Sequence, residues 1–409
     1  MTCLYSTTIF IASLIIASPT KAKMEPLIAD LKDTAKGIDD FSYSFLLRSA
    51  ITMKGSNVIV SPISVWSLMA SLSEGASGIT RDQIVGVLGY KTNQIRPSDV
   101  FKLVAPHILV TTNTISLETV NAIFHQDKSI HKRFSDIIQK IYRTHIREVD
   151  FSDKSTLNII NNYAENATNG RFKSIVSQSD LTDSQMIITN GIFFKGQWTK
   201  PFNPAETQRV PFYDDNKRQI GEVNMMFQRT PLAYANLDSF KAHVLELPYG
   251  KENRVSMIVV LPREGETLDN VINRFKQVPV REIFVALRQS QAEFSNDAVD
   301  VYFPRMNVVT DLLLNKILWE MGIHELFDPK YADLSQISDT KGLHMSRVIH
   351  KTQIEVTEEG ISAAGLSASN RIGSRGVKFV ANKPFLYFIV EKTTNAIPLG
   401  GTYVVPTLF

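Results

Sequence analysis

The chain has 409 residues, 44% of them hydrophobic, with a single cysteine and a formal net charge of +3. A charge this near balance gives no reason to expect a nucleic-acid or membrane partner. No Gly/Ser- or Pro-rich tract, repeat or long charge run divides the chain, so the expectation is one large monomeric domain with ample core.

Residues 4–17 are apolar and small, lack an acidic side chain, and are too short for a membrane span. They read as a secretory signal cleaved after Ala22 or nearer Ala17, although the usual basic segment ahead of the apolar run is missing. Cys3 lies inside this segment, so a mature chain would have no thiol for a disulfide, a nucleophile or a metal site. Asn166-Ala167-Thr168 is a glycosylation sequon, usable on an exported chain. The chain reads as a secreted, extracellular glycoprotein, with residues 1–22 as signal and residues 30–409 as the folded domain.

Phe41, Phe45 and Leu46 sit at helical spacing within residues 39–51. Residues 57–60 read as a short strand stopped by Pro62, and residues 63–72 as a helix begun at Ser61 or Pro62. A second helix is expected over residues 157–172, closed by Asn169-Gly170. Residues 186–194 form a nearly continuous apolar run, the pattern of a buried strand. Residues 246–249 and 256–262 read as two strands joined around Gly250, residues 301–305 as another strand, and residues 312–321 as a helix ended by Gly322. Val348, His350, Thr352, Ile354 and Val356 alternate with polar residues, which gives a strand with one mostly apolar face. Further strands are expected from Asn382 through Val390 and over residues 398–406.

After that alternating strand the composition changes. Glu358-Glu359-Gly360 leads into residues 362–369, almost all small. Such a run cannot fill a core. It suits a flexible surface loop, or a segment that must fit between two strands already in contact.

Catalytic motifs are missing. The sequence has no G-x-S-x-G, H-E-x-x-H, P-loop or calcium-loop pattern, and its eight histidines lack ligand spacing. Ser338-Asp339-Thr340-Lys341 fits S-x-x-K but lies in a polar turn without the companion motifs. The residues point to no enzyme, metal or cofactor.

The stretch TEEGISAAGLSAS resembles the hinge and reactive-centre loop of serpins, and the resemblance runs through most of the chain. Ser61-Pro62-Ile63-Ser64, the run from Asn190 to Trp198 (NGIFFKGQW) and Asn382-Lys383-Pro384-Phe385 match landmarks of that family in order, and the overall pattern is that of a secreted, insect-type member. The resemblance implies an α+β serpin fold: one large domain with three β-sheets, eight or nine helices and an exposed loop over residues 358–376. It implies a suicide-substrate inhibitor, in which a serine protease cuts the loop and the cut loop inserts into the main sheet. It also implies roles for particular residues. Glu358, Glu359, Gly360, Ile361, Ser362, Ala363, Ala364 and Gly365 form the hinge. Ser61, Ser64, Asn190 and His350 form a polar cluster where the sheet opens, with Trp198 where the loop first goes in.

Three departures matter. Ile361 stands where the family usually has Thr or Ser, and the loop is shorter than usual; together they keep a non-inhibitory role (carrier, storage protein or decoy substrate) open. Gly400-Gly401 follows Leu399 where a Phe is usual, one residue short, and the last strand is expected to be looser for it. The scissile bond depends on the direction of counting. Fourteen residues from Gly360 lead to Ser374 (374 − 360 = 14), with Arg375 next, whereas counting back from Val377-Lys378-Phe379 leads to Arg371 (371 − 360 = 11). Arg375 is favoured, and both arginines suit a trypsin-like protease with an acidic specificity pocket.

Overall fold

The computed structural model describes residues 21–90, 96–108, 111–360, 373–394 and 396–409. Helix α1 (Lys21–Thr52) leads into strand β1 (Val58–Val60), then α2 (Pro62–Ser73), α3 (Gly78–Val87) and α4 (Pro97–Ile108). Next come β2 (Ile115–His125), α5 (Lys132–Lys140), β3 (His145–Glu148), α6 (Ser155–Ala167), the single turn α7 (Gln178–Leu181) and β4 (Met186–Gly196). Five strands follow: β5 (Gln208–Tyr213), β6 (Gln219–Pro231), β7 (Tyr234–Leu237), β8 (Ala242–Tyr249) and β9 (Val255–Pro262). Helices α8 (Leu268–Arg274) and α9 (Arg281–Glu293) precede β10 (Asp297–Pro304), β11 (Met306–Leu313) and α10 (Asn315–Met321). The chain closes with β12 (Arg347–Val356), β13 (Gly373–Val380), β14 (Phe385–Glu391) and β15 (Ala396–Tyr403).

The strands form the three expected sheets. The main one has five strands in the order β11-β12-β4-β2-β3. The second runs β1-β15-β14-β9-β8-β7 and the third β13-β10-β6-β5. Strand β4 sits at the centre of the main sheet, and every residue from Met186 to Phe194 is buried. Both of its faces are covered. Met186 and Ile188 join the large core with α2, while Ile187 and Phe193 join a second cluster with Ile160 and Ala164 of α6. A strand covered on both sides reads as an unbroken apolar run. Helix α2 is buried at every residue but Ser67, which explains its apolar character all round.

Three expectations are corrected by the structure. The helix expected from Leu312 starts at Asn315, because residues 306–313 alternate buried and exposed as the edge strand β11 of the main sheet. The helix expected to run to Phe172 ends at Ala167; Asn169 and Gly170 follow in left-handed conformations, with φ of 49° and 82°. The last strand is not loose. Strand β15 is buried throughout and pairs with β14 and β1, and a Cβ on Gly401 would lie 1.8 Å from the Val58 carbonyl oxygen. The missing side chain is what lets the two strands approach so closely.

Candidate functional site

Strands β4 and β12 pair in parallel over nine residues, from Ile187/Arg347 to Lys195/Glu355. The ladder joins chain segments with 150 residues between them (347 − 196 − 1 = 150). In its middle Asn190 and His350 are direct partners. His350 donates from Nδ1 to Asn190 Oδ1 at 2.6 Å, and that oxygen also accepts from the Ser64 hydroxyl at 2.9 Å. The opposite ring nitrogen, Nε2, accepts from the Ser61 backbone N–H at 3.0 Å, with the Thr352 hydroxyl at 2.8 Å. Ser61 is held in turn: its hydroxyl donates to the Pro398 carbonyl at 2.6 Å while capping α2. Burial pushes the His350 pKa down to about 3, so the ring is neutral and accepts at Nε2. The four expected residues thus form one network. Thr352 and Asn121, whose side chain accepts from Asn190 Nδ2, complete it and were not anticipated. Their roles arise from register across strands, which no local pattern reveals.

At the far end of the same seam the chain leaves β12 beside Trp198. The Trp198 indole donates to the Thr357 carbonyl at 2.7 Å, and its backbone N–H donates to the Glu359 carbonyl at 3.0 Å. The ring stacks on Tyr249 with centroids 4.2 Å apart. Trp198 also bridges Gly360 in parallel, and a Cβ on Gly360 would come within 2.7 Å of the Pro201 Cα. Both hinge carboxylates are engaged. Glu358 accepts from the Thr207 hydroxyl at 2.6 Å and forms an ion pair with Arg305 at 3.4 Å that is too oblique for a hydrogen bond. Glu359 pairs with Lys195 at 3.1 Å and accepts from Gln197 at 3.0 Å, contacts that hold its carboxyl below the usual range. Lys195 also bonds Glu355 at 2.9 Å, which raises its own pKa and ties β4 to β12 where the ladder ends. Thr207, Arg305 and Lys195 were not picked out from the sequence.

Ile361, Ser362, Ala363, Ala364, Gly365 and Arg371 lie outside the described residues, as does the proposed signal up to residue 20. Ser374 and Arg375 fall within β13, which begins four residues ahead of the Val377-Lys378-Phe379 motif. Gly373 and Ser374 pair with Asp297 and Ala298 of β10, the ladder slips, and pairing resumes at Lys378. Asn166 is exposed on α6, and the Thr168 hydroxyl of its sequon is buried, donating to the Ala164 carbonyl at 2.6 Å. Ser338 is buried and bonds Ser129 and the Thr340 N–H, a turn-holding role remote from nucleophilic chemistry.

Comparison with known proteins gives the arrangement its family. Residues 36–406 match the family described as serpin (serine protease inhibitor). Human Serpin B3 is 31% identical over 378 residues, covering 86% of this chain and 94% of its own. Among solved structures, the thermophilic serpin tengpin in its native state superposes with a TM-score of 0.78 at 24% identity, covering 91% of this chain and 94% of its own. Human thyroxine-binding globulin, solved with thyroxine bound, superposes equally well at 0.78 and 23% identity, covering 91% and 98%. At those identities the structural likeness concerns the fold alone. The sequence match over nearly the whole chain carries the conclusion: this protein belongs to the serpin family.

Proposed function

We propose that the protein is a secreted suicide-substrate inhibitor of a trypsin-like serine protease, acting as a monomer through the loop over residues 358–376. One observation carries the reading: a closed β4–β12 ladder with the loop hinge docked at its end. A loop arginine enters the protease's acidic specificity pocket, and the protease serine attacks that arginine's own carbonyl carbon; the peptide bond to the next residue breaks, its amine leaves with a proton, and an acyl-enzyme remains. The released loop then adds as a strand between β4 and β12, pairing its backbone on both edges. Asn190 and His350 must part for this, so their network is the latch. Displacement of the attached protease distorts its oxyanion hole, which is worth about 3–4 kcal/mol to the transition state, and deacylation stalls.

Strand register bears on which bond is cut. The bond after Arg371 lies ahead of β13, whereas the bond after Arg375 lies inside it and requires the Gly373 and Ser374 pairs to open. We therefore read Arg371 as the bond reached first, giving mostly cut protein and free enzyme. Arg375 is the bond whose cleavage leaves an insert of the family's usual length, roughly 46 Å at ~3.3 Å per residue. Incubation with a trypsin-like protease should give an SDS-stable complex whose released C-terminal fragment begins at Gly376. A fragment beginning at Ile372 within the stable complex would overturn the assignment.

The tight packing of Gly360 on Pro201 favours a second reading. Ile361, β-branched, follows directly and is bulkier than the family's usual residue there. If the loop is cut quantitatively and no complex survives SDS, the protein is a non-inhibitory member. Secretion is tested separately: the mature chain should begin near residue 23, and a glycosidase should release a glycan from Asn166.

A further inference from the structure

Strand β13 emerges directly from the loop, and its outward residues share rows with β10 and β6. Lys378, Asp300 and Arg229 lie in register across the three strands, with Val380, Tyr302 and Phe227 in the next outward row. The row between them, Phe379, Val301 and Gln228, is buried, so the first two rows lie on the opposite face of the sheet, where Lys378 and Arg229 are exposed while Tyr302 still packs in part against the core. Asp300 is engaged by Arg229 at 3.5 Å, while no ion pair of Lys378 is found among the described residues. The charged row therefore carries a net charge of +1 (two cations, one anion). Beside it the rings of Phe227 and Tyr302 meet with centroids 4.8 Å apart, both partly buried. Aromatic and arginine side chains together, on a rigid sheet, are the composition that recurs at the centres of protein interfaces.

We propose that this face is a second docking surface for the protease that attacks the loop, and that it selects enzymes whose surface beside the cleft is acidic. The inference rests on the loop being a protease substrate. Continuity identifies the occupant. Lys378 lies three residues beyond Arg375 and seven beyond Arg371 (378 − 375 = 3; 378 − 371 = 7), roughly 10 and 23 Å along an extended chain. A protease domain of ~220 residues has a radius of gyration of about 17 Å, so its body is large enough to reach this face while its cleft holds either bond. Lys378, exposed and with no ion pair among the described residues, and Arg229, paired with Asp300, supply the positive field such an enzyme meets. Charge of this kind acts mainly on the rate of encounter.

The test compares the native sequence with Arg229→Glu/Lys378→Glu and with Lys378→Ala, which leaves the Arg229–Asp300 pair intact. Loss of intact chain on SDS gels, counting complex and cut product together, gives the second-order rate. Two trypsin-like proteases are used, one with an acidic and one with a basic rim. The double variant should react on the order of tenfold more slowly with the acidic-rimmed enzyme at ~0.05 M salt, with the difference shrinking at ~0.5 M. Lys378→Ala should fall between, and the basic-rimmed enzyme should show no slowing. Equal effects on both enzymes, or none on either, would overturn the proposal. Charge-dependent cleavage without stable complex would defeat the trapping reading and leave the docking surface standing; stable complex without charge dependence would do the reverse.

Discussion

His350 couples the seam to pH. Its pKa falls to about 3 by burial, against about 6.5 in an unfolded chain, so protonation favours opening and unfolding. Stability from this group is complete above pH ~6.5 and declines as the pH falls from there toward ~3. His125, His145 and His243 are also lowered by burial, so the comparison must isolate one ring. His350→Asn should melt lower than the native sequence at pH ~7.5 but lose less on moving to pH ~5; parallel losses would show that the ring is not the sensor. Gly360 gives a second residue-scale outcome. Gly360→Ala places a methyl against the Pro201 backbone, an overpacking cost of about 1–3 kcal/mol that pushes the hinge off Trp198. Trp198 fluorescence should shift in that variant without protease, and an unchanged spectrum would mean that the hinge accommodates the methyl.

At the scale of elements, β15 and β1 make the sharpest contrast. Gly401→Ala drives a Cβ into the Val58 carbonyl, where neither backbone can yield, and should lower stability by about 3 kcal/mol or more in denaturant titration. Gly400→Ala meets only the end of the Leu46 side chain at 2.9 Å and should lose clearly less. Equal losses would place the strain elsewhere. The same pair shows what a sequence reveals. Gly400-Gly401 reads as looseness when the neighbouring strand is unknown; with Val60 and Ile59 of β1 opposite, it is the condition for contact. Strands β4 and β12 were legible, because a strand buried on both faces and one with a single apolar face each leave a local pattern. Strand β11 was assigned in part to a helix because Leu312-Leu313 continues smoothly into the apolar residues of α10. At the seam, Ser61, Ser64, Asn190 and His350 came from the family resemblance. Thr352, Asn121, Thr207 and Arg305 acquire their roles only through pairing across strands or between distant segments, and neither composition nor periodicity records that.

For the whole molecule, loop insertion as proposed would make the closed sheet one of two arrangements open to the same chain. Cleavage between Gly360 and Arg375 should raise the melting temperature sharply, since the freed segment adds a strand with ladders on both sides. A cut protein that melts with the intact one would rule out insertion. The nine-residue β4–β12 ladder then has a consequence measured in time. Where the inserted arrangement lies lower in free energy, the active molecule persists only for as long as the seam takes to part. Its working life is a rate, set by the barrier to separating Asn190 from His350 and Lys195 from Glu355, rather than by the depth of any well. Opening rates of this kind rise about three- to sixfold for every ten degrees. Warming would therefore shorten the shelf life of the intact protein well below any temperature at which it melts, and a rise of ten degrees would be legible as lost closed form before any loss of fold.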